Sequence, residues 1–309
     1  MPCPDGSSLG LHRRIARAGR KARQRDCGIL THVEPPAYLP FDVPGYVGAL
    51  RSQGELLADA AQRAGLAAVV PSCPGWTVRD LLRHTGYVHR WATGFVAEGQ
   101  TRPDGASEEE ILSQGPDDAE LPGWFRAGHA TLVRALGAAA PDLNCWAFLP
   151  APSPLAFWAR RQAHETAIHR VDAEQAAGDT AGQRPGAAGH AAAGNGTSFE
   201  PRFAADGVDE LVMGFLARSI KRGNWAAPGG SLAIHADDGT AGGTDWLIAG
   251  GQDAPGVSRS TGRADCEVTG PASELYLMLW NRSPAARLQV TGDPGILAAF
   301  GRALQITWS

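Results

Sequence analysis

Two histidines and a glutamate in this 309-residue chain have the types and the spacing of a metal site. Glu165 and His169 are four residues apart in a segment predicted to be helical, so both side chains lie on one helix face. His84 interrupts an otherwise apolar face of another predicted helix and is therefore expected to point inward. Two imidazoles and one carboxylate leave one coordination position open, as in catalytic zinc sites.

The same residues have simpler explanations, which the spacing leaves open. A Glu four residues before a His is a common pair on helix surfaces, and a single inward His is more often hydrogen-bonded than metal-bound. The pair His164-Glu165 resembles the start of the HExxH motif of metalloproteases. The next histidine follows His164 by five residues, however, so the two do not share a helix face. His164 is therefore not predicted to be a ligand.

Four predicted helices position these residues. The segments with apolar residues at helical spacing are 45–65, the stretch that begins at Thr77, 124–139 and 154–177. Thr77 has the type and position of an N-cap, and Asp80 completes a capping box. A polar stretch at 98–120 is predicted to be a long loop with one short helix. Helices of this length with mostly short links form an antiparallel four-helix bundle.

The pattern changes after residue 204 to a mixture of helices and strands. Helices are predicted at 208–220, 271–281 and 294–304, and strands near 231–236, 244–249, 265–269 and 287–291. The fold class is therefore α+β. The expected parts are a basic flexible extension (1–40), a metal-binding four-helix bundle (41–177), a Gly- and Ala-rich flexible linker or insertion (178–204) and a small α/β domain (205–309).

Composition excludes several classes of function. A net charge of -4 gives no electrostatic basis for binding nucleic acid, and no apolar run is long enough to span a membrane. The five cysteines are scattered without a CxxC pair, which argues against a disulfide framework or an all-cysteine zinc site. The basic amino-terminal run lacks the apolar core of a signal peptide, so we expect a cytoplasmic protein.

Four motifs resemble those of the mycothiol-dependent maleylpyruvate isomerase family and occur in the family's order. Residues 71–84 (PSCPGWTVRDLLRH) are similar to the family's PGWTVxDLxxH opening, and residues 164–174 (HETAIHRVDAE) to its HExxxHRxDAE segment. The match continues in Ala205–Leu211 and from Val268 to Arg282. Arginine outnumbers lysine 26 to 2, as in GC-rich actinobacterial coding sequences, and mycothiol is an actinobacterial thiol.

The resemblance implies a DinB-like bundle followed by a domain similar to sterol-carrier proteins. It implies that the family's metal ligands correspond to His84, Glu165 and His169. The family pattern also has an arginine at the position of Arg282, which makes this residue the best candidate to bind a substrate carboxylate. An equally simple role for Arg282 is to meet the carbonyl dipole at a helix end. Asn281 departs from the family pattern, since a glycine is expected there.

Other residues near these motifs have expected roles. His89 and His129 are predicted to be packing or surface residues. Asp172 and Arg170 are expected either to orient the metal ligands or to form a simple salt bridge. Nothing near Cys73 in the sequence indicates an activated thiol.

The predicted function is that of a metal-dependent enzyme, with Zn²⁺ as the expected ion and mycothiol as the thiol cosubstrate. A thiolate would attack a small electrophilic substrate, either in S-transfer or in a maleylpyruvate-type cis–trans isomerisation. The alternatives are a metal-dependent hydrolase and a non-catalytic module that binds a small ligand or a metal. We expect neither a nucleic-acid nor a membrane partner. The sequence leaves the acceptor substrate and the oligomeric state open.

Overall fold

The computed structural model describes residues 40–103, 108–113, 115–178, 197–223, 229–238, 245–250 and 256–304. These residues belong to one compact unit, Pro35–Ser309. The predicted basic extension and most of the predicted linker lie outside the described residues. Within these ranges, the structure contains no helix that is long and apolar enough to cross a membrane.

Four long helices form the amino-terminal part, as predicted. They are α1 (Val43–Ala64), α2 (Val78–Glu98), α4 (Leu121–Ala138) and α5 (Pro154–Ala176), and the short helix α3 (Glu108–Ser113) lies between α2 and α4. Helix α1 packs mainly on α5, and α2 packs on α4. The predicted capping box is present, because Thr77 and Asp80 exchange hydrogen bonds at the start of α2. Stacked rings of Phe95 and Trp158, 4.9 Å apart, lie in the core.

The carboxyl-terminal part is a five-stranded mixed sheet with helices. Its elements are α6 (Pro201–Asp209), a π-helical segment (Glu210–Leu216), α7 (Ala217–Lys221), β1 (Ser231–Ala236), β2 (Asp245–Ala249), β3 (Gly256–Ser258), β4 (Cys266–Gly270), α8 (Ala272–Leu279), a 3₁₀ turn (Ala285–Arg287), β5 (Gln289–Gly292) and α9 (Pro294–Ala303). The strand order is β3-β2-β1-β4-β5. The β1–β4 pair is parallel and the other pairs are antiparallel.

Two elements differ from the sequence-based prediction. The helix expected at 208–220 begins earlier, at Pro201, because Glu200 caps it by accepting hydrogen bonds from the N–H groups of Arg202 and Phe203. Strand β3 was not predicted, since three residues are too few to show a period of two. The positions of the other strands and of α8 and α9 agree with the prediction to within a few residues.

Helix α5 is the central element, since 17 of its 23 residues are buried. One side packs in the bundle, and the other meets α6 through a buried ionic network. Arg160 donates hydrogen bonds to the carboxylates of Asp206 (3.1 Å) and Asp209 (3.0 Å). Asp206 also contacts Nε2 of His164 (2.8 Å) and accepts a hydrogen bond from the hydroxyl of Tyr46 (2.8 Å). The carboxyl-terminal part is thus tied to the helix that carries two of the predicted ligands. The division at 178–204 stays a prediction.

Candidate metal site

The structure brings the three predicted ligands together. Nε2 of His84 lies 3.3 Å from Oε1 of Glu165, and Nε2 of His169 lies 3.1 Å from the same oxygen. One nitrogen of each histidine and one oxygen of the glutamate all lie within 4.8 Å of one another. The two imidazole rings are 5.0 Å apart and meet edge to face. Two nitrogens and one oxygen therefore lie close enough together to bind the same metal ion.

Local sequence explains most of this convergence. Glu165 and His169 are one helical turn apart on α5, so their side chains stack along the axis. His84 shares a face of α2 with the buried residue Leu81 and is itself only 5% exposed. The capping box sets the start of α2. Trp76, which directly precedes the N-cap residue Thr77, lies over both imidazoles. Its ring is 5.0 Å from that of His84 and 6.4 Å from that of His169.

Asp172 orients His169 from outside the ligand set. Nδ1 of His169 donates a hydrogen bond to Oδ2 of Asp172 (2.9 Å), which directs Nε2 toward Glu165. The Asp172 carboxylate also accepts hydrogen bonds from Arg282 and from the hydroxyl of Ser72 (2.5 Å). Burial would raise the pKa of Asp172, but the charge of Arg282 and the hydrogen bonds from His169 and Arg282 outweigh burial and hold this pKa well below its usual range. Asp172 is thus an ionised acceptor, as an orienting residue requires.

Arg282 lies beside the site because of the turn that ends α8. Asn281 has a φ of 59°, and the N–H of Arg282 donates to the carbonyl of Leu277 (2.8 Å), which closes the helix end. Asparagine tolerates this left-handed conformation, which explains how it replaces the expected glycine. Arg282 donates two hydrogen bonds to Asp172, both of 2.8 Å, and one to the carbonyl of Trp280 (2.7 Å). The expected contact with a helix-end carbonyl is therefore present, together with an ion pair that the sequence did not predict.

Arg161 and Glu210 are site residues that sequence reasoning missed. Arg161 donates a hydrogen bond from Nη2 to Oε2 of Glu165 (2.9 Å) and another from Nη1 to the carboxylate of Glu210. The spacing of four residues between Arg161 and Glu165 was a visible signal. The contact with Glu210 had none, because it joins positions 49 residues apart.

The charges around the ligands perturb their ionisation. Burial would raise the pKa of Glu165, but hydrogen bonds to His169 and His84 and the charge of Arg161 outweigh it and hold the pKa well below its usual range. Burial would lower the pKa of His169, but hydrogen bonds to Asp172 and Glu165 raise it to about 9. The lowered pKa means that the Glu165 side chain is ionised and can offer a negatively charged oxygen to a metal ion.

Three histidines of the helical part lie outside the candidate ligand set. His164 contacts Asp206 and the hydroxyl of Tyr276 (3.1 Å), and it is not one of the three side chains that converge at the candidate site. His89 and His129 are buried packing residues. Nε2 of His89 is 2.9 Å from the hydroxyl of Thr166, and Nε2 of His129 is 3.1 Å from a backbone carbonyl of α1.

Two further predictions concern residues beside the ligands. For Arg170 the simple salt bridge is observed, because it pairs with Glu174 (2.9 Å) and donates to Gln53. Cys73 lies 3.6 Å from both Asp172 and Arg282. Burial and the negative charge of Asp172 raise the pKa of the Cys73 thiol to about 12, so this thiol is not activated.

Two family models match the sequence. The mycothiol maleylpyruvate isomerase N-terminal domain matches residues 47–174, and the MDMPI C-terminal domain matches residues 202–299. The chain belongs to the mycothiol-dependent maleylpyruvate isomerase family. The two matched segments correspond to the helical part and the sheet-containing part of the fold, so family membership extends over both.

Solved structures agree with this family at the level of the fold. The crystal structure of the mycothiol-dependent maleylpyruvate isomerase is similar with a TM-score of 0.53 and 12% sequence identity, over 81% of this chain and 93% of that chain. A His→Ala mutant of the same enzyme gives the same values. Among curated proteins, none matches the sequence significantly.

The donor set of the site fits a zinc-type ion. Two imidazole nitrogens and one carboxylate oxygen are ligands that Zn²⁺ commonly takes in catalytic sites. The orienting hydrogen bond from His169 to Asp172 is the arrangement typical of metal-bound histidines. The side chain of Glu165 is 19% exposed, so the ligands can be reached from solvent.

Proposed function

We propose that the protein binds one zinc-type divalent ion through His84, Glu165 and His169 and uses mycothiol as the thiol cosubstrate in a reaction with a small electrophile. The observation that carries the proposal is the convergence of these three side chains within 4.8 Å in a member of a mycothiol-dependent family. A structural zinc site normally uses four protein ligands, whereas three converge among the described residues. The arrangement therefore favours a reactive site.

The roles of the residues follow from their contacts. Nε2 of His84 and Nε2 of His169 would bind the ion as imidazole nitrogens, and Glu165 would supply an anionic oxygen. Because its neighbours raise the pKa of His169 to about 9, this residue must lose the proton from Nε2 when the ion binds. Asp172 keeps a proton on Nδ1 of His169, so Nε2 is available as a donor. A zinc-type ion, when bound, favours the thiolate form of a thiol at its open position. If the thiolate adds to a cis double bond, rotation followed by loss of the thiol gives isomerisation; if the thiol stays attached, the reaction is S-transfer.

We assign Arg282 the role of orienting an anionic group of the substrate. Its ion pair with Asp172 holds the guanidinium beside the ligands, with a side chain only 14% exposed. Contacts with Asp172, Trp280 and Cys73 use four of its five N–H groups, counting the described residues alone. The remaining N–H, on Nη1, can donate to a carboxylate. Arg282→Lys should therefore impair turnover far more than it impairs metal binding.

Metal analysis of purified variants tests the site. Ala in place of any one of His84, Glu165 and His169 should abolish stoichiometric metal while the helical circular dichroism is retained. His235→Ala is the matched control, because this histidine pairs with Asp245 at the sheet. It should leave the metal content unchanged. If the triple Ala variant keeps its full metal content, the site lies elsewhere.

Calorimetry tests the use of the thiol. Mycothiol should bind to the metal-loaded protein with release of about one proton near neutral pH, because the bound form is the thiolate. Titrations in two buffers of different ionisation heat count this proton. The metal-free protein should show neither binding nor proton release. Tight binding without metal, or no binding at all, would contradict the thiol role and favour a metal-dependent hydrolase.

A further inference from the structure

The two oxygens of Glu165 have different surroundings. Oε1 lies 3.3 and 3.1 Å from the Nε2 atoms of His84 and His169, on the side where the ligands converge. Oε2 accepts a hydrogen bond from Nη2 of Arg161 at 2.9 Å. A carboxylate held in this way offers one oxygen to a metal, since using both would weaken its bond to the guanidinium.

Arg161 is itself fixed on two sides. Its Nη1 donates to the carboxylate of Glu210, and the two side chains are 4% and 2% exposed. The guanidinium carbon lies 5.2 Å from the ring centroid of Phe215 and 5.5 Å from that of Trp280. Moving the guanidinium away would leave the buried Glu210 charge without its partner, which is strongly destabilising. Arg161 is therefore a rigid donor.

The partner of Arg161 comes from an unusual backbone segment. Glu210 is the first residue of the π-helical segment Glu210–Leu216, and such segments occur frequently at functional sites. The preceding residue, Asp209, pairs with Arg160, so two successive acidic residues meet two successive arginines of α5. Of these two pairs, only Arg161–Glu210 also contacts a predicted metal ligand, because Arg161 bonds to Glu165 as well.

We propose that Arg161 is a positioning residue. Clamped by Glu210 of the carboxyl-terminal part, it holds Glu165 in the orientation that presents a single oxygen to the ion. This inference rests on the proposed metal site and adds that the carboxyl-terminal part shapes this site through Glu210. Without this clamp the Glu165 side chain can rotate. Metal binding must then restrict that rotation, and the entropy cost lowers the metal affinity.

The test is a double variant, Arg161→Met with Glu210→Met. Removing Arg161 alone would strand a buried carboxylate, whereas replacing both members of a buried ion pair with apolar residues of similar size is often neutral for stability. The matched control is Arg170→Met with Glu174→Met. Like the tested pair, it is a largely buried ion pair with its arginine on α5, but it contacts no predicted ligand.

Two measurements report on the ligand directly. Competition with a chromogenic chelator should show Zn²⁺ affinity lower by about 10- to 100-fold in the Arg161/Glu210 double variant, the usual effect of losing a group that orients a ligand. The visible absorption of bound Co²⁺ should weaken, because a freed carboxylate that binds through both oxygens raises the coordination number. The control pair should change neither quantity.

The outcomes separate this inference from the proposed function. Wild-type affinity and an unchanged cobalt spectrum in the Arg161/Glu210 double variant would show that the pair serves folding only and would overturn the inference. An equal loss in the control pair would do the same. Failure of the wild-type protein to bind metal would defeat the proposed function as well. If the double variant does not fold, Arg161→Lys keeps the charge beside Glu210 but loses the planar fork, and it should still lower the Zn²⁺ affinity.

Discussion

Replacing Asp172 with Asn removes the carboxylate that joins Arg282 to His169. The Asp172 side chain is fully buried and accepts two hydrogen bonds of 2.8 Å from Arg282 and one of 2.9 Å from His169. Asn keeps the shape but loses the charge and one acceptor oxygen. Two separate effects should follow, one on the stability of the fold and one on the metal site.

The structure sets the size of each effect. Arg282 has a side chain only 14% exposed, so without Asp172 its charge is left largely buried and unpaired. Breaking a buried pair from one side costs about 3–5 kcal/mol of unfolding free energy. His169 meanwhile loses the ionised acceptor that fixes its Nδ1 proton, which typically lowers metal affinity by about 10- to 100-fold.

Urea unfolding of the metal-free protein and chelator competition measure the two effects separately. The double variant Asp172→Leu with Arg282→Leu removes both charges, so it should recover most of the lost stability. It should not recover the metal affinity, because His169 still lacks its acceptor. The reasoning is refuted if the double variant is as unstable as Asp172→Asn, or if Asp172→Asn binds Zn²⁺ as tightly as the wild-type protein.

Two predictions concern the rest of the chain. Burial, reinforced by the charge of His129, holds the pKa of His89 well below its usual range, and burial also lowers the pKa of His129. As pH falls below about 6.5, the unfolded chain binds more protons than the folded protein, so the unfolding free energy of the metal-free protein should fall by up to about 1.4 kcal/mol per pH unit for each histidine. Urea melts between pH 5 and 6.5 should show a smaller slope in the double variant His89→Gln with His129→Gln, and an unchanged slope would contradict this origin. Limited proteolysis should cut first within 178–200, because residues 178–196 are rich in Gly and Ala and contain no large apolar side chain that could pack. The two fragments should stay together in gel filtration, since α5 and α6 share the buried Arg160 network. Earlier cleavage within α5 would contradict the prediction.

Local sequence was enough to predict the helices and to select three side chains that the structure brings together. The spacing of Glu165 and His169 depends only on the pitch of a helix, and the capping box at Thr77 sets the start of α2. The apolar face around His84 predicts its inward direction. Because each signal involves residues within one or two helical turns, each could be read without knowing the fold. The family motifs then indicated that the three residues belong together.

Only the tertiary structure determined what surrounds these candidate ligands. Arg282 and Asp172 are 110 residues apart, and Arg161 and Glu210 are 49 apart, so packing alone brings each pair together. Sequence periodicity assigns a helix one buried face, but α5 is buried on nearly all sides and its charged residues lie within the structure. A charged side chain looks the same in the sequence whether it faces solvent or a buried partner. The physical reason is that burial of a charge depends on a partner from another element, and the chain alone does not reveal which element packs there.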